Sequence, residues 1–478
     1  MTELFRSCGP ELVLLGVAGL LILAETILPR QGGRTKGYFA LLGIALAFPF
    51  LTKSIGPAPD IFHGAWIVDN VAFIFKMVLL LAAALVIFMS IDEYADAARA
   101  AGEFYILALL AVVGMMVMIS GNNLLVIYLG LELMAISFYI LSGYNWLRED
   151  STEGFLKYVI TGLFASALLL YGISFLYGAT GTVDLAQMGS LLGMGGYPRV
   201  MAIVGVALVT CGLAFKMGAA PFHMWMPDVL DGSPTSVAGF LAVAPKVAVL
   251  AVTVRLFLTS FGSLHELWGP LLWTLAALTI LWGNLAAIAQ TRVKRMLAYS
   301  SIAHVGYLLI AMAAAGKGTE EGISAIVFYL VVYSFMNLGA FGTLLWFERK
   351  TGEAVTWKGL GGISRRAPGM SFLFSLFMFS LAGIPPTAGF IGKFWIFVSG
   401  WHAGYYGLVL IGALGSLIGA FYYLRTNYAL YMLPEEEGPA LGMGFSPLVY
   451  AVMLAAIGVL LTGVMPSYVM ALARRALF

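Results

Sequence analysis

Residues 211–247, CGLAFKMGAAPFHMWMPDVLDGSPTSVAGFLAVAPKV, place Lys216 and Lys246 inside two apolar runs, with a break at Gly218 and Pro221 between them. A lysine near the centre of a bilayer costs roughly 2.5–3.5 kcal/mol on insertion scales, so two of them need a reason. The Gly and Pro between them free backbone groups, which a membrane tolerates only inside protein or beside a water-filled cavity. Lys216 is therefore expected to lie next to buried water. The rest of the chain reads as the apparatus that holds this wet, charged patch within lipid.

Composition sets the class. Of 478 residues, 61% are hydrophobic and only 10% charged, with mean hydropathy +0.94. That is too apolar for a soluble multidomain enzyme and describes a polytopic membrane protein. The net charge of +2 is spread over loops, with no basic domain to suggest nucleic acid. Apolar runs fall near 10–29, 38–52, 69–91, 104–120, 122–143, 154–178, 199–217, 236–258, 268–290, 297–315, 322–347, 369–400, 404–432 and 446–472. At about 20 residues per crossing these predict about fourteen transmembrane helices. The first run lacks the basic flank and cleavage site of a signal peptide and reads as a retained helix.

Loop charges orient the chain. Arg30, Arg34 and Lys36 follow the first run, Arg292, Lys294 and Arg295 the ninth, and Arg349, Lys350, Lys358, Arg365 and Arg366 the eleventh. If the crossings alternate, all fall on one side, and the opposite loops carry only Lys53, Arg199 and Lys317. The lysine and arginine bias predicts that the first side is cytoplasmic and that both termini face away from it, with Arg474 and Arg475 going mildly against the rule.

The chain also repeats itself. Residues 104–258 hold five runs, the fourth broken at KMGAAPF, and residues 259–432 hold five more, the fourth broken at GIPPTAGFIGK. Five is odd, so consecutive units in an alternating chain have opposite topology. Broken helices at matching positions of an inverted repeat are the sequence pointer to a midplane ion site. The expected organisation is all-α: helices 1–3 in residues 1–103, a five-helix repeat in 104–258, its inverted partner in 259–432, and a last helix in 433–478.

Within this frame a few charges stand out. Glu132, in LLVIYLGLELMAISFYIL, lies about 15 Å into its helix, too deep to escape to either surface. The alternative is a carboxylate that only pins helices together. Lys246 is similarly central, and Pro245 before it should loosen that turn. Lys393 follows the second break, at Pro386, so each repeat offers a lysine near a break. Lys157, as relay support, and Lys76 are weaker candidates: each lies within about two turns of a helix end, where a long side chain is expected rather to snorkel to the headgroups. His304 and His223 are candidate proton carriers, since imidazole titrates near neutral pH, or else hydrogen-bonded core residues. One carboxylate and several buried lysines fit a proton relay: burial disfavours a lysine's charge, a nearby carboxylate favours it, and a lysine held between the two exchanges protons when its neighbour changes.

Redox chemistry has no visible home in the chain. Two cysteines, Cys8 and Cys211, are too few for an iron–sulfur cluster or a structural zinc site, and neither a GxGxxG fingerprint after a strand nor a GxxxxGK[ST] loop is present.

The stretches EFYILALLAVVGMMVMISGNNLLVIYLGLEL, KYVITGLFASALLLYGISFLYGATGT, FKMGAAPFHMWMPDVLDGSPT, RMLAYSSIAHVGYLL and LAGIPPTAGFIGKF closely resemble the subunit N family of bacterial proton-pumping NADH:quinone oxidoreductase, respiratory complex I. That family is antiporter-like, related to Mrp cation/proton antiporters. The resemblance covers about residues 100–430 and implies fourteen helices in two inverted five-helix repeats. It maps the family's functional glutamate and lysines onto Glu132, Lys216, Lys246 and Lys393. Lys393 stands where the sibling subunit M would carry glutamate, and after the last run no sequence remains for the long lateral helix of subunit L. The resemblance further implies a chain without cofactors of its own, in a complex that uses NADH, FMN, iron–sulfur clusters and quinone in other subunits. Its expected partners are the antiporter-like subunits L and M, small membrane subunits, the peripheral redox arm and the bilayer of the bacterial inner membrane. The competing functions are an Mrp-type antiporter subunit, a membrane subunit of an energy-converting hydrogenase, and a self-contained solute carrier. The last would need a more varied polar pocket than these residues supply.

Overall fold

A computed structural model of the protein describes residues 2–27, 32–53, 62–95, 100–434 and 439–475; Arg30 of the first basic loop lies outside them. The described elements are helices: α1 (Thr2–Ile27), α2 (Gly33–Lys53), α3 (Asn70–Glu93), α4 (Ala100–Ser120), α5 (Leu124–Ser142), α6 (Glu149–Thr180), α7 (Leu185–Met194), α8 (Arg199–Met217), α9 (Met226–Gly232), α10 (Thr235–Arg255), α11 (His265–Ile288), α12 (Val293–Gly316), α13 (Glu320–Thr351), α14 (Pro368–Ala382), α15 (Ala388–His402), α16 (Tyr406–Met432), α17 (Pro447–Val464) and α18 (Pro466–Arg474). A π-helical turn, Leu256–Ser260, extends α10. Among the described residues, thirteen helices are long and apolar enough to cross a membrane. The fourteenth crossing is α14 with α15, half-helices that together take up the expected run 369–400.

Several boundaries depart from expectation for local reasons. The run predicted at 154–178 starts earlier, at Glu149, because Glu149 and Asp150 suit the positive end of a helix dipole. The ten-residue α7 was not among the predicted runs; Asp184 caps it, accepting the Gln187 N–H at 2.9 Å. The run predicted at 446–472 stops at Val464, since Pro466 has no N–H to give a continuing helix and instead opens α18. Pro245, by contrast, leaves α10 unbroken. Pro245 leaves the Leu241 carbonyl without its helical N–H, and at the next residue the hydroxyls of Ser301 and Tyr333 each approach the Ala242 carbonyl at 3.4 Å.

Polar contacts pin the helix ends in two layers. In one layer Asp92 accepts the Leu448 N–H at the start of α17 (3.0 Å) and pairs with Arg34 (3.5 Å), while Asp228 binds Lys157 (2.6 Å) and Arg295 (2.7 Å). In the other, Asp69 caps α3 and takes a bidentate pair of bonds from Arg255 (2.8 and 3.0 Å), and Leu124 and Leu185 cross-link two loops through their backbone. Arg34 and Arg295 thus lie in the first layer, and the stretch that holds Lys350 and Lys358 joins them through the Arg292–Thr356 bridge.

Burial is uneven, and it decides where polar groups are shielded from lipid. Helices α10, α12 and α13 are almost wholly enclosed, whereas α6 and α16 turn most of their surface outward. Lys76 is also enclosed: it pairs with Glu11 at 2.5 Å and lies 5.1 Å from the centre of the Trp66 ring. The snorkelling expected of it is therefore replaced by a buried ion pair between α1 and α3.

Candidate functional site

Each half of the bundle has a helix that stops inside the protein, and the two stops are built alike. At the end of α8 the Ala219 N–H donates to the Ala214 carbonyl (2.8 Å) and Gly218 to Phe215 (3.0 Å). At the end of α14, Ile384 donates to Phe379 (3.1 Å) and Gly383 to Ser380 (3.0 Å). This is the Schellman pattern, which needs a left-handed residue at its pivot; Gly218 has φ 76° and Gly383 φ 84°. Carbonyls at such an end carry the negative pole of the helix dipole and attract cations.

A lysine stands at each pole. Lys216 is on the last turn of α8 and buried, and its single hydrogen bond among the described residues is a long one, to the Tyr139 hydroxyl at 3.4 Å. Lys393 belongs to α15 but reaches back across the break, donating to the carbonyls of Leu381 (2.9 Å) and Ala382 (3.0 Å) and to the Ser416 hydroxyl (2.9 Å). At the first break a neutral indole does similar work: Trp225 Nε1 donates to the Phe215 carbonyl at 3.1 Å. Thr279 also accepts the Ala220 N–H there, at 2.9 Å.

Lys246 and His304 occupy the enclosed core. Lys246 donates to the Ser301 carbonyl (2.8 Å), to the Ser301 hydroxyl and to Tyr333 Oη (3.3 Å), all of them neutral oxygens. Tyr333 in turn donates to Ser301 Oγ at 2.9 Å. One turn along α12, His304 shares a hydrogen bond with a tyrosine at each ring nitrogen: Nδ1 with Tyr329 (2.5 Å) and Nε2 with Tyr423 (3.0 Å). Tyr423 continues to Ser300. His304 lies within the electrostatic reach of both Lys246 and Lys393, and its ring meets Tyr307 edge-on at 5.7 Å. Lys393 sits 5.1 Å from the centre of the same Tyr307 ring.

The other candidates fall elsewhere. Glu132, on α5, has a sealed Oε1 without a hydrogen-bond partner and is close enough for its charge to act on Lys216 and Tyr139. His223 lies in the first break with Nδ1 sealed and its ring edge-on to Trp282, joined to none of the lysines. Lys157 is half exposed near the start of α6 and paired with Glu153 and Asp228. No hydrogen bond among the described residues bridges the Lys216 cluster to the Lys246 cluster.

Sequence reasoning missed the tyrosines. Tyr139, Tyr333 and Tyr307 place a ring 5.6, 5.1 and 5.1 Å from Lys216, Lys246 and Lys393, within cation–π range. The available signal was spacing: Ser300, His304 and Tyr307 are i, i+4, i+7 on one face of α12, and Tyr329 and Tyr333 are i, i+4 on α13.

Comparison with known proteins follows this geometry. Residues 121–419 match the NADH:quinone oxidoreductase/Mrp antiporter TM family. The NADH-quinone oxidoreductase subunit N of Trichlorobacter lovleyi is 40% identical over 98% of this chain and 96% of its own. This chain belongs to the subunit N family. Its fold matches a chain of respiratory complex I from Thermus thermophilus with TM-score 0.80 and 32% identity, covering 97% of this chain and 98% of that one. A chain of the Mrp complex from Dietzia shares the fold, with TM-score 0.81 at 18% identity over 99% of this chain and 96% of that one. As a subunit N chain it is a multi-pass membrane component of NADH-quinone oxidoreductase that assembles with other membrane-arm subunits.

Proposed function

We propose that this chain carries protons across the membrane for NADH:quinone oxidoreductase, with Lys246, His304 and Lys393 as the carrying groups and Glu132 with Lys216 as the pair that biases them. The observation that supports it is the enclosed run of Ser301, Tyr333, His304, Tyr329 and Tyr423 between two buried lysines. A tyrosine hydroxyl both donates and accepts, so an imidazole held between two of them takes a proton on one nitrogen and releases it from the other. Lys246 is surrounded by neutral oxygens that solvate its ammonium without neutralising it, so a change of charge nearby decides whether it keeps its proton. The relay needs a water or a side-chain rotation at two places, between Ser301 and His304 and between the His304 tyrosines and Lys393, whose own partners are Leu381, Ala382 and Ser416.

On this reading the chain has no redox role of its own. Electrons pass from NADH to quinone through FMN and iron–sulfur clusters in other subunits, and the partners include subunits L and M. The matched helix ends at Gly218 and Gly383 support two inverted repeats, residues 104–258 and 259–432, flanked by helices 1–3 in 1–103 and the last helix in 433–478. The basic layer supports a place in the bacterial inner membrane with both termini periplasmic.

The deciding experiment compares Lys246→Met and Lys246→Arg in assembled complexes, scored as protons moved per NADH oxidised. Guanidinium scarcely deprotonates, so both variants are expected to impair pumping. If arginine pumps like wild type, Lys246 needs only to be positive; if methionine does, the relay runs elsewhere.

A further inference from the structure

Lys317 is one of the few cations on the layer opposite the basic loops, and the fold holds it in place. It caps α12, donates to the Ala403 carbonyl at 3.0 Å and lies 4.2 Å from the centre of the Tyr405 ring. Beside it opens a cavity of about 520 Å³, lined by Lys317, His265, Glu266, Trp273 and Tyr405 among others. The cavity sits where three helices end: α11 starts at His265, α12 ends at Gly316 and α16 starts at Tyr406. It therefore lies at the depth of lipid headgroups, where Trp and Tyr collect.

Its charges are arranged in two signs. Lys317 and the start of α16 make one part positive, since a helix start offers free N–H groups and a positive pole. His265 also lines the cavity, and with its Nε2 buried without a partner the proton of a neutral ring is better placed on Nδ1. Glu266 makes the other part negative. Below the cavity, Leu278, Leu281 and Leu285 form an exposed i, i+3, i+7 strip on α11, and Leu410 and Leu414 are exposed on the neighbouring α16.

We propose that this cavity binds the headgroup of a zwitterionic phospholipid, its phosphate against Lys317 and His265 and its ammonium against Glu266, with the acyl chains along the leucine strip. A free phosphate would leave both Glu266 and the strip unexplained. The lining and the strip offer a partner for each part of such a lipid: its ammonium, its phosphate and its long apolar tails.

The test uses the intact complex in detergent with a photoreactive phosphatidylethanolamine, the label being mapped to the peptides that contain residues 265–274 and 403–410. Lys317→Gln should lower labelling of these peptides about tenfold, equivalent to about 1.4 kcal/mol, and leave labelling elsewhere on the complex unchanged. Lys317→Arg should restore it. Glu266→Gln should remove the preference for an ethanolamine over a glycerol headgroup while labelling persists. Unchanged labelling in Lys317→Gln overturns the proposal. So does displacement of the lipid by inorganic phosphate at equal concentration, which would make this a free-anion site. A zero-length cross-link from Lys317 to a carboxylate of a neighbouring subunit would also overturn it, by showing that protein covers the cavity.

Discussion

Tyr333 gives Lys246 one of its three oxygen partners and also donates to another, Ser301. Tyr333→Phe keeps the ring and deletes the hydroxyl, removing a hydrogen bond to a charged group worth about 1.5–3 kcal/mol. The complex is expected to assemble and oxidise NADH but to move fewer protons per NADH; equal stoichiometry would show that the ring alone suffices. Asp69 offers a separate residue-scale test. Burial pushes its carboxyl up, but the bidentate Arg255 and the Ala72 N–H outweigh burial and hold it below the usual carboxylate range. A depressed carboxyl stabilises fully above its unfolded value, about 3.9, and that stability fades as pH falls through the folded value. Asp69→Asn should therefore lower thermal stability by a constant amount from pH 5 to 8, with the gap to wild type closing only below about pH 4; a gap that closes near neutrality would point to a different group. The lysines were legible in the sequence because a buried ammonium is too costly to be incidental. Their tyrosines were not, because one hydroxyl in an apolar helix costs little, and only the packing of α10, α12 and α13 brings Ser301, His304 and Tyr333 together.

The two broken crossings depend on glycine pivots. At Gly383 a Cβ would face a left-handed φ of 84° and stand 3.1 Å from Lys393 Cδ. Gly383→Ala should cost about 1–2 kcal/mol of backbone strain and crowd the lysine off the end of α14. Lower thermostability together with impaired pumping is the expected pair of results. Impaired pumping at full stability would place the effect on Lys393 alone, and two unchanged values would mean that the pivot is not needed. Most elements were readable as apolar runs. Three features were not: α7 and the stop at Pro466 depend on a single Asp cap and a single missing N–H, and α9 is only seven residues long, signals too local to emerge from hydropathy.

For the whole molecule, the placement of the polar layers predicts the outcome of labelling intact cells. A single cysteine at position 295 should be protected from an impermeant reagent added outside, and one near the N-terminus should react. The reverse pattern would invert the orientation. Which loops share a layer was legible because charge bias in short loops is a property of the chain, whereas the enclosure of α10, α12 and α13 is a property of packing alone. The depth of Lys246 has an electrical consequence. It has eleven residues of α10 before it and nine after, about 16 Å and about 14 Å of helix, so it stands near half-depth. A charge crossing the full membrane works against about 2.3 kcal/mol per 100 mV, so a proton pausing at Lys246 divides that load into two steps of about 1.2 kcal/mol. Neither step alone meets the whole voltage, and back-pressure from an energised membrane should slow turnover by less than tenfold per 100 mV.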